Sequence, residues 1–120
     1  MLSISPAVKI FFCTQPTDLR RGFDGLAVLV QQSLGRNPLS GHLFLFVNRR
    51  RNRIKILYWA GDGYALWYKR LERGTFELPR GGQANSVGLE ISASQLSLIL
   101  DGIELSSVRR RRRFQLSVAV

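Results

Sequence analysis

The sequence predicts an α+β domain with a mainly antiparallel sheet of about five strands, built on a central three-strand meander, and two helices. Three observations point there. Residues 42–48, 54–60 and 64–71 are short runs dense in Phe, Val, Ile, Tyr and Trp, the β-branched and aromatic types that suit a pleated, half-buried surface. Two compact turn sequences separate them, Arg49-Arg50-Arg51-Asn52-Arg53 and Ala60-Gly61-Asp62-Gly63, and the two glycines of the second take left-handed backbone without steric cost. One segment of helical apolar period lies before the meander and one after it.

Taken in order, residues 7–14 (AVKIFFCT) are dense in β formers and read as a central or near-central strand. Gln15-Pro16-Thr17-Asp18 stops it: Pro16 removes a ladder donor, and Thr17 or Asp18 can accept from the free amides of a following helix. Leu19, Phe23, Leu26, Val30 and Leu34 then recur at steps of four and three, an amphipathic helix period. Gly35 is placed to end that helix, with Pro38 just beyond. Gly22 and Gly25 are costly inside a helix, about 1 kcal/mol each against alanine. Close packing on the sheet, or a helix that starts only near Phe23, would account for them.

In the meander, Leu43, Leu45 and Val47 alternate with Phe44 and Phe46, Ile54, Ile56 and Tyr58 with Lys55, Leu57 and Trp59, and Tyr64, Leu66 and Tyr68 with Ala65, Trp67, Lys69 and Leu71. Both faces are apolar, so both need a cover. Either the C-terminal helix takes the second face or a partner does. Residues 75–78 read as a short strand that Pro79 ends, and residues 80–86 have loop composition. Residues 87–91 (VGLEI) alternate as a last strand. Ser92 or Ser94 caps a helix carrying Leu96, Ile99, Leu100 and Ile103, which Gly102 closes or frays. The domain is expected to occupy residues 1–105. Residues 106–120, with Arg109, Arg110, Arg111, Arg112 and Arg113 in a row, form a basic tail expected to be flexible without a partner.

Charge narrows the function. The chain carries a net charge of +10, and of its 18 basic residues only Lys9, Lys55 and Lys69 are lysine. Guanidinium offers a planar donor fork that matches phosphate, so an arginine excess favours nucleic acid. Catalytic machinery is sparse by contrast. A two-metal site needs several converging carboxylates, whereas the eight acidic residues offer only Asp18, Asp24 and Asp62 as candidates. Asp18 reads equally well as a helix cap, Asp24 as a partner of Arg20 or Arg21, and Asp62 as a turn residue. His42 is the only histidine and Cys13 the only cysteine, which leaves no zinc spacing, no intramolecular disulfide and no base beside a nucleophile. Gly81-Gly82 lacks the helix and lysine of a phosphate loop. No enzymatic activity, metal or cofactor is expected. With no signal-peptide pattern and no apolar run near the ~18 residues that span a bilayer, the expected location is cytoplasmic and nucleoid-associated when bound to DNA.

The expected DNA contacts are Arg49, Arg50, Arg51 and Arg53 on the hairpin tip, as in β-ribbon readers. Lys55, Lys69, Arg70 and Arg73 extend the patch if the register puts them on one face, and Arg109 to Arg113 serve as a flexible arm. Tyr58, Trp59, Tyr64, Trp67 and Tyr68 could stack on bases. Core packing is the expectation for most of them, leaving one or two edge tyrosines exposed.

Three blocks also carry a resemblance. PTDLRRGFDGLAVLV, the stretch from NPLSGHLFLFV through NRRRNRIKILYWAGDGYALWYKRLERGTFELP, and SASQLSLILDGIEL together resemble the small Orf2-like (TnpB-type) accessory protein of IS66-type insertion sequences, over residues 8–105. The likeness implies a role in transposition beside the element's transposase. With the arginine patches and the lack of a long apolar run, the expected partners are DNA, as duplex at the insertion-sequence ends, the transposase and the element's other accessory protein, with room for a homo-oligomer and no membrane. It brings no chemical mechanism, and it leaves the block of Thr17, Asp18, Arg20, Gly22, Asp24 and Gly25 without a role. The alternatives are a subunit that docks on the transposase without binding DNA itself, and a metal-dependent nuclease.

Overall fold

A computed structural model describes residues 5–79 and 87–101. Five strands and two helices run in the order β1 (Ile10–Cys13), α1 (Phe23–Gln32), β2 (Leu43–Val47), β3 (Arg53–Trp59), β4 (Tyr64–Arg70), β5 (Gly88–Ile91) and α2 (Ala93–Asp101). The strands form one sheet in the order β4-β3-β2-β1-β5. All neighbours are antiparallel except β1 and β2, which run parallel with Phe11 opposite Phe44. A parallel pair needs a crossover, and α1 supplies it. The expected α+β fold with its β2–β4 meander is therefore what the chain adopts.

Period-two alternation gives the sheet two cores. Phe11, Cys13, Phe44, Phe46 and Leu57 pack with Leu19, Leu26, Ala27 and Val30 on the α1 side. Ile10, Phe12, Leu43, Leu45, Val47, Ile54, Ile56 and Ile91 pack with Leu96, Ile99 and Leu100 of α2 on the other. The C-terminal helix thus takes the second face, the first of the two covers the sequence allowed. It has help from Phe76, fully buried in that core. Residues 75–78 are not the short strand expected; residues 71–79 form an irregular strap. The Leu71 N–H donates to Asn52 O at 2.8 Å and the Phe76 N–H to Arg51 O at 2.7 Å, so the backbone donors go to the β2–β3 turn instead of a sheet edge.

Helix α1 departs from expectation at its start. Neither Thr17 nor Asp18 caps it; the N-cap is Gly22, with no side-chain hydrogen bond, and the helix begins at Phe23. The late start accounts for Gly22, and nothing lies within 4 Å of where its Cβ would be. A Cβ at Gly25 would lie 3.2 Å from the Arg21 side chain, so neither glycine packs on the sheet. Phe23, placed by the period on the apolar face, is 47% exposed and belongs to neither core. At the other end Gly35, with φ +62°, lets the Arg36 N–H reach Val30 O at 3.0 Å and close the helix.

Helix α2 begins with a reciprocal cap. Ser92 Oγ accepts from the Gln95 N–H at 3.1 Å while Gln95 Oε1 accepts from the Ser92 N–H at 2.9 Å, the capping-box pattern. Ser92→Ala is expected to cost about 1 kcal/mol, read as a lower urea midpoint at unchanged slope; an unchanged midpoint would remove the cap from the stability of this half. The position of Gly102 and Ile103 lies outside the described residues, as does the basic tail.

Candidate nucleic-acid interface

The β2–β3 turn is an arginine loop whose shape is set by asparagines. The Asn48 side-chain oxygen accepts from the N–H groups of Asn52 and Arg53, each at 3.0 Å, and its amide nitrogen donates to Asn52 Oδ1 at 2.7 Å. The backbone adds Arg51 N–H to Asn48 O at 3.0 Å and Asn48 N–H to Arg53 O at 3.2 Å. Short Asx side chains commonly close turns this way. Arg51 sits in the left-handed region at φ +58°, alone among the described non-glycine residues, where an L side chain costs roughly 1–2 kcal/mol. None of these bonds uses a guanidinium. Arg49, Arg50, Arg51 and Arg53 are all exposed, and none of them has an acidic partner among the described residues.

The loop after β1 lies against this tip. Thr17, buried, donates its N–H to Val47 O at 2.9 Å and so clips residues 14–22 to the end of β2. The two loops leave the sheet at the carboxyl ends of its parallel strands, the end at which open α/β sheets bind ligands. Between them lies an open cleft of about 540 Å³, lined by Pro16 to Arg20 on one side and by Asn48, Arg49, Arg50, Asn52 and Arg53 on the other. A second cleft of about 490 Å³ flanks the tip on the side of Arg51 and Glu77.

Asp18 is the one acid at the first cleft. Its carboxylate accepts from the Arg20 N–H and Nε, each at 3.0 Å, and from Nη2 at 2.6 Å. The Arg20 side-chain hydrogen bonds, followed by the backbone one, hold its pKa down to about 2 from 3.8. A depressed carboxyl keeps its pairing above the ordinary value and loses it as pH falls through about 2, so near neutral pH Arg20 is neutralised by Asp18. Asp18→Asn keeps the acceptor for the Arg20 backbone and removes the charge. We expect it to leave the fold intact and to steepen the salt dependence of DNA binding by up to about 0.9, read by fluorescence anisotropy; an unchanged slope would place Arg20 away from the ligand.

The remaining sequence-nominated cations divide. Register sets Arg53 opposite Arg70 and Lys55 opposite Tyr68, and the alternation puts all four on the α1 face. Lys55 Nζ donates to Arg21 O at 2.9 Å, and Arg70 pairs with Glu72 at 2.8 Å. Lys69 points to the opposite face, where its ammonium donates to Leu100 O at 2.8 Å, a cation at a helix C-terminus. Register therefore does not put Lys69 with the others: it ties α2 to the sheet, away from the cleft. Arg73 is exposed in the strap. Arg109 to Arg113 lie outside the described residues.

The candidate carboxylates do not converge. Asp24 is in the first turn of α1, where the helix dipole favours it, and Asp62 is in the β3–β4 turn, the full length of β3 from the cleft. Among the described residues no three His, Cys, Asp or Glu stand together as a metal would require. His42 Nδ1 accepts the Lys9 N–H at 2.9 Å and stacks edge-on to Phe11, a structural role. Sequence reasoning missed the meeting of Thr17–Arg20 with the arginine turn and the part played by Asn48; an Asx residue at the end of a strand was the available signal for the latter.

A family model described as "IS66 Orf2 like protein" matches residues 8–110. The chain belongs to the IS66 Orf2-like family. That makes it an accessory protein of an IS66-type insertion sequence, as its three motifs suggested. It is similar to two relatives from Sinorhizobium fredii (strain NBRC 101917 / NGR234). One, "Uncharacterized protein y4hO", is 40% identical over 104 residues, 87% of this chain and 88% of the relative. The other, "Uncharacterized protein y4jC", is 35% identical over 111 residues, 92% of each. No solved structure matches. Within this Orf2-like chain no helix among the described residues is long and apolar enough to cross a membrane.

Proposed function

We propose that this accessory protein binds DNA through the arginine turn and the cleft beside it, acts with the transposase of its element, and catalyses no step itself. One observation carries the reading: four exposed arginines, without acidic partners among the described residues, stand on a turn whose shape is held by asparagines, backbone and the strap. At Arg51 a glycine would remove the backbone cost, so an arginine held there in the left-handed region supports a role for its guanidinium. Preorganised cations of this kind position phosphates; they do not by themselves read bases.

A docking subunit without DNA contacts is the other reading. Its support in the sequence was a sheet face left for a partner, and α1 and α2 each cover one. The geometry therefore favours the nucleic-acid role.

Fluorescence anisotropy of labelled insertion-end and random duplexes, at several salt concentrations, tests the proposal on the purified protein. Preference for the end sequence identifies a site-recognition subunit. Equal and strongly salt-dependent binding identifies an architectural partner that leaves specificity to the transposase. No binding at modest salt overturns the DNA role.

A further inference from the structure

Among the described residues two rings stand outside both cores and about half exposed, Phe23 at the start of α1 and Tyr68 on the sheet. Phe11, Phe12, Phe44, Phe46 and Phe76 are buried. Tyr58 and Trp67 pack against the α2-side core, Tyr64 packs against the α1-side core, and Trp59 meets Tyr64 edge-on. Tyr68 packs in neither core and is 49% exposed. It stands on β4, an edge strand, and faces the α1 side beyond the cover that α1 provides.

Its neighbours are cations. Lys55 Nζ lies 5.1 Å from the ring centroid, and Arg53 Nη1 donates to the Tyr68 hydroxyl at 3.3 Å. Arg70 is two residues along the same face. Arg53 also lines the cleft beside the arginine turn, so the ring and the cleft share a wall. An aromatic face on a rigid strand, bordered by basic side chains that continue from an arginine-lined cleft, is the arrangement by which proteins hold unpaired nucleotides. A closed duplex keeps its bases stacked on one another and presents Tyr68 only with backbone.

We propose that Tyr68 stacks an unpaired DNA base while Arg53, Lys55 and the arginine turn hold the phosphates on either side, so that the protein engages single-stranded or frayed DNA. The proposal rests on the DNA-binding reading above and specifies its ligand. Lys55 lies over the ring, and Arg53 at the hydroxyl holds the tip of the side chain; a base would take the face away from Lys55. The contact is tolerant of sequence, because every base has a π-face.

The test uses the full chain with short oligonucleotides carrying 2-aminopurine, whose fluorescence falls on stacking, beside duplexes of the same sequence. Wild type should quench the single strand. Tyr68→Ala and Tyr68→Leu should weaken single-strand binding roughly tenfold, abolish most of the quenching, and leave duplex binding and the salt slope unchanged. Tyr68→Phe should retain the quenching. Leucine keeps the apolar body on the strand, so a loss with both Ala and Leu is not a loss of fold. Unaltered quenching in both variants overturns the proposal, and so does an equal loss on single strand and duplex. Wild type that binds duplex alone overturns it too but leaves the DNA-binding reading standing. Wild type that binds neither ends both.

Discussion

Replacing the arginine turn, with alanine at positions 49, 50 and 53 and glycine at 51, should flatten the dependence of log K on log salt by up to about 3.6. Each phosphate contact releases counterions worth about 0.9 in that slope. Near 50 mM salt the variant should bind about 100-fold more weakly than wild type relative to 200 mM, where the electrostatic advantage has decayed. Glycine is the right residue at 51, since the left-handed backbone there would be strained with alanine. Stability should change little, because the bonds that shape the turn come from Asn48, Asn52 and backbone. An unchanged slope would remove the turn from the interface, whatever happened to affinity.

The largest stability effect should come from outside the sheet. Phe76→Ala deletes a ring of zero exposure from the α2-side core, and large-to-small changes of this kind cost about 3–5 kcal/mol. For a domain that starts from about 5–15 kcal/mol, the variant should be mostly folded in buffer but unfold at far lower urea. The strap also closes one side of the arginine turn through the Phe76 N–H to Arg51 O bond of 2.7 Å. Loss of the ring should therefore raise amide exchange at residues 49–53 before the rest of the sheet. A midpoint within error of wild type would show that the strap lies on the core without holding it.

The meander was legible because residue type and period agreed there. β-Branched and aromatic runs, two-sided alternation and compact turns all pointed the same way, and the faces assigned to β2, β3 and β4 are the faces observed. The start of α1 was not legible, because a Thr-Asp pair before an apolar period has two uses. Here Thr17 clips a loop to Val47 and Asp18 turns back on Arg20, so the cap falls to Gly22. Residues 75–78 misled for a related reason: a single buried phenylalanine between polar neighbours looks like a strand in one dimension, and only the sheet already complete beneath it makes it a plug. As for the candidate site, the cations of the turn could be read off directly. Their junction with Thr17–Arg20 could not, since it follows from the parallel pairing of β1 with β2, and a parallel pair carries no local turn signal.

The strand order has a consequence for how the molecule is made. Ile10 is paired with Ile91, so the earliest strand waits for the latest. As the polypeptide leaves the ribosome, β1 to β4 and α1 can assemble with one face finished, while Phe12, Leu45, Ile54 and Ile56 have only the strap with Phe76 over them until α2 arrives. During that interval the nascent chain carries a greasy sheet surface and an open strand edge, both prone to sticking to copies of itself. A strongly cationic turn that is already formed would oppose such association by like charge.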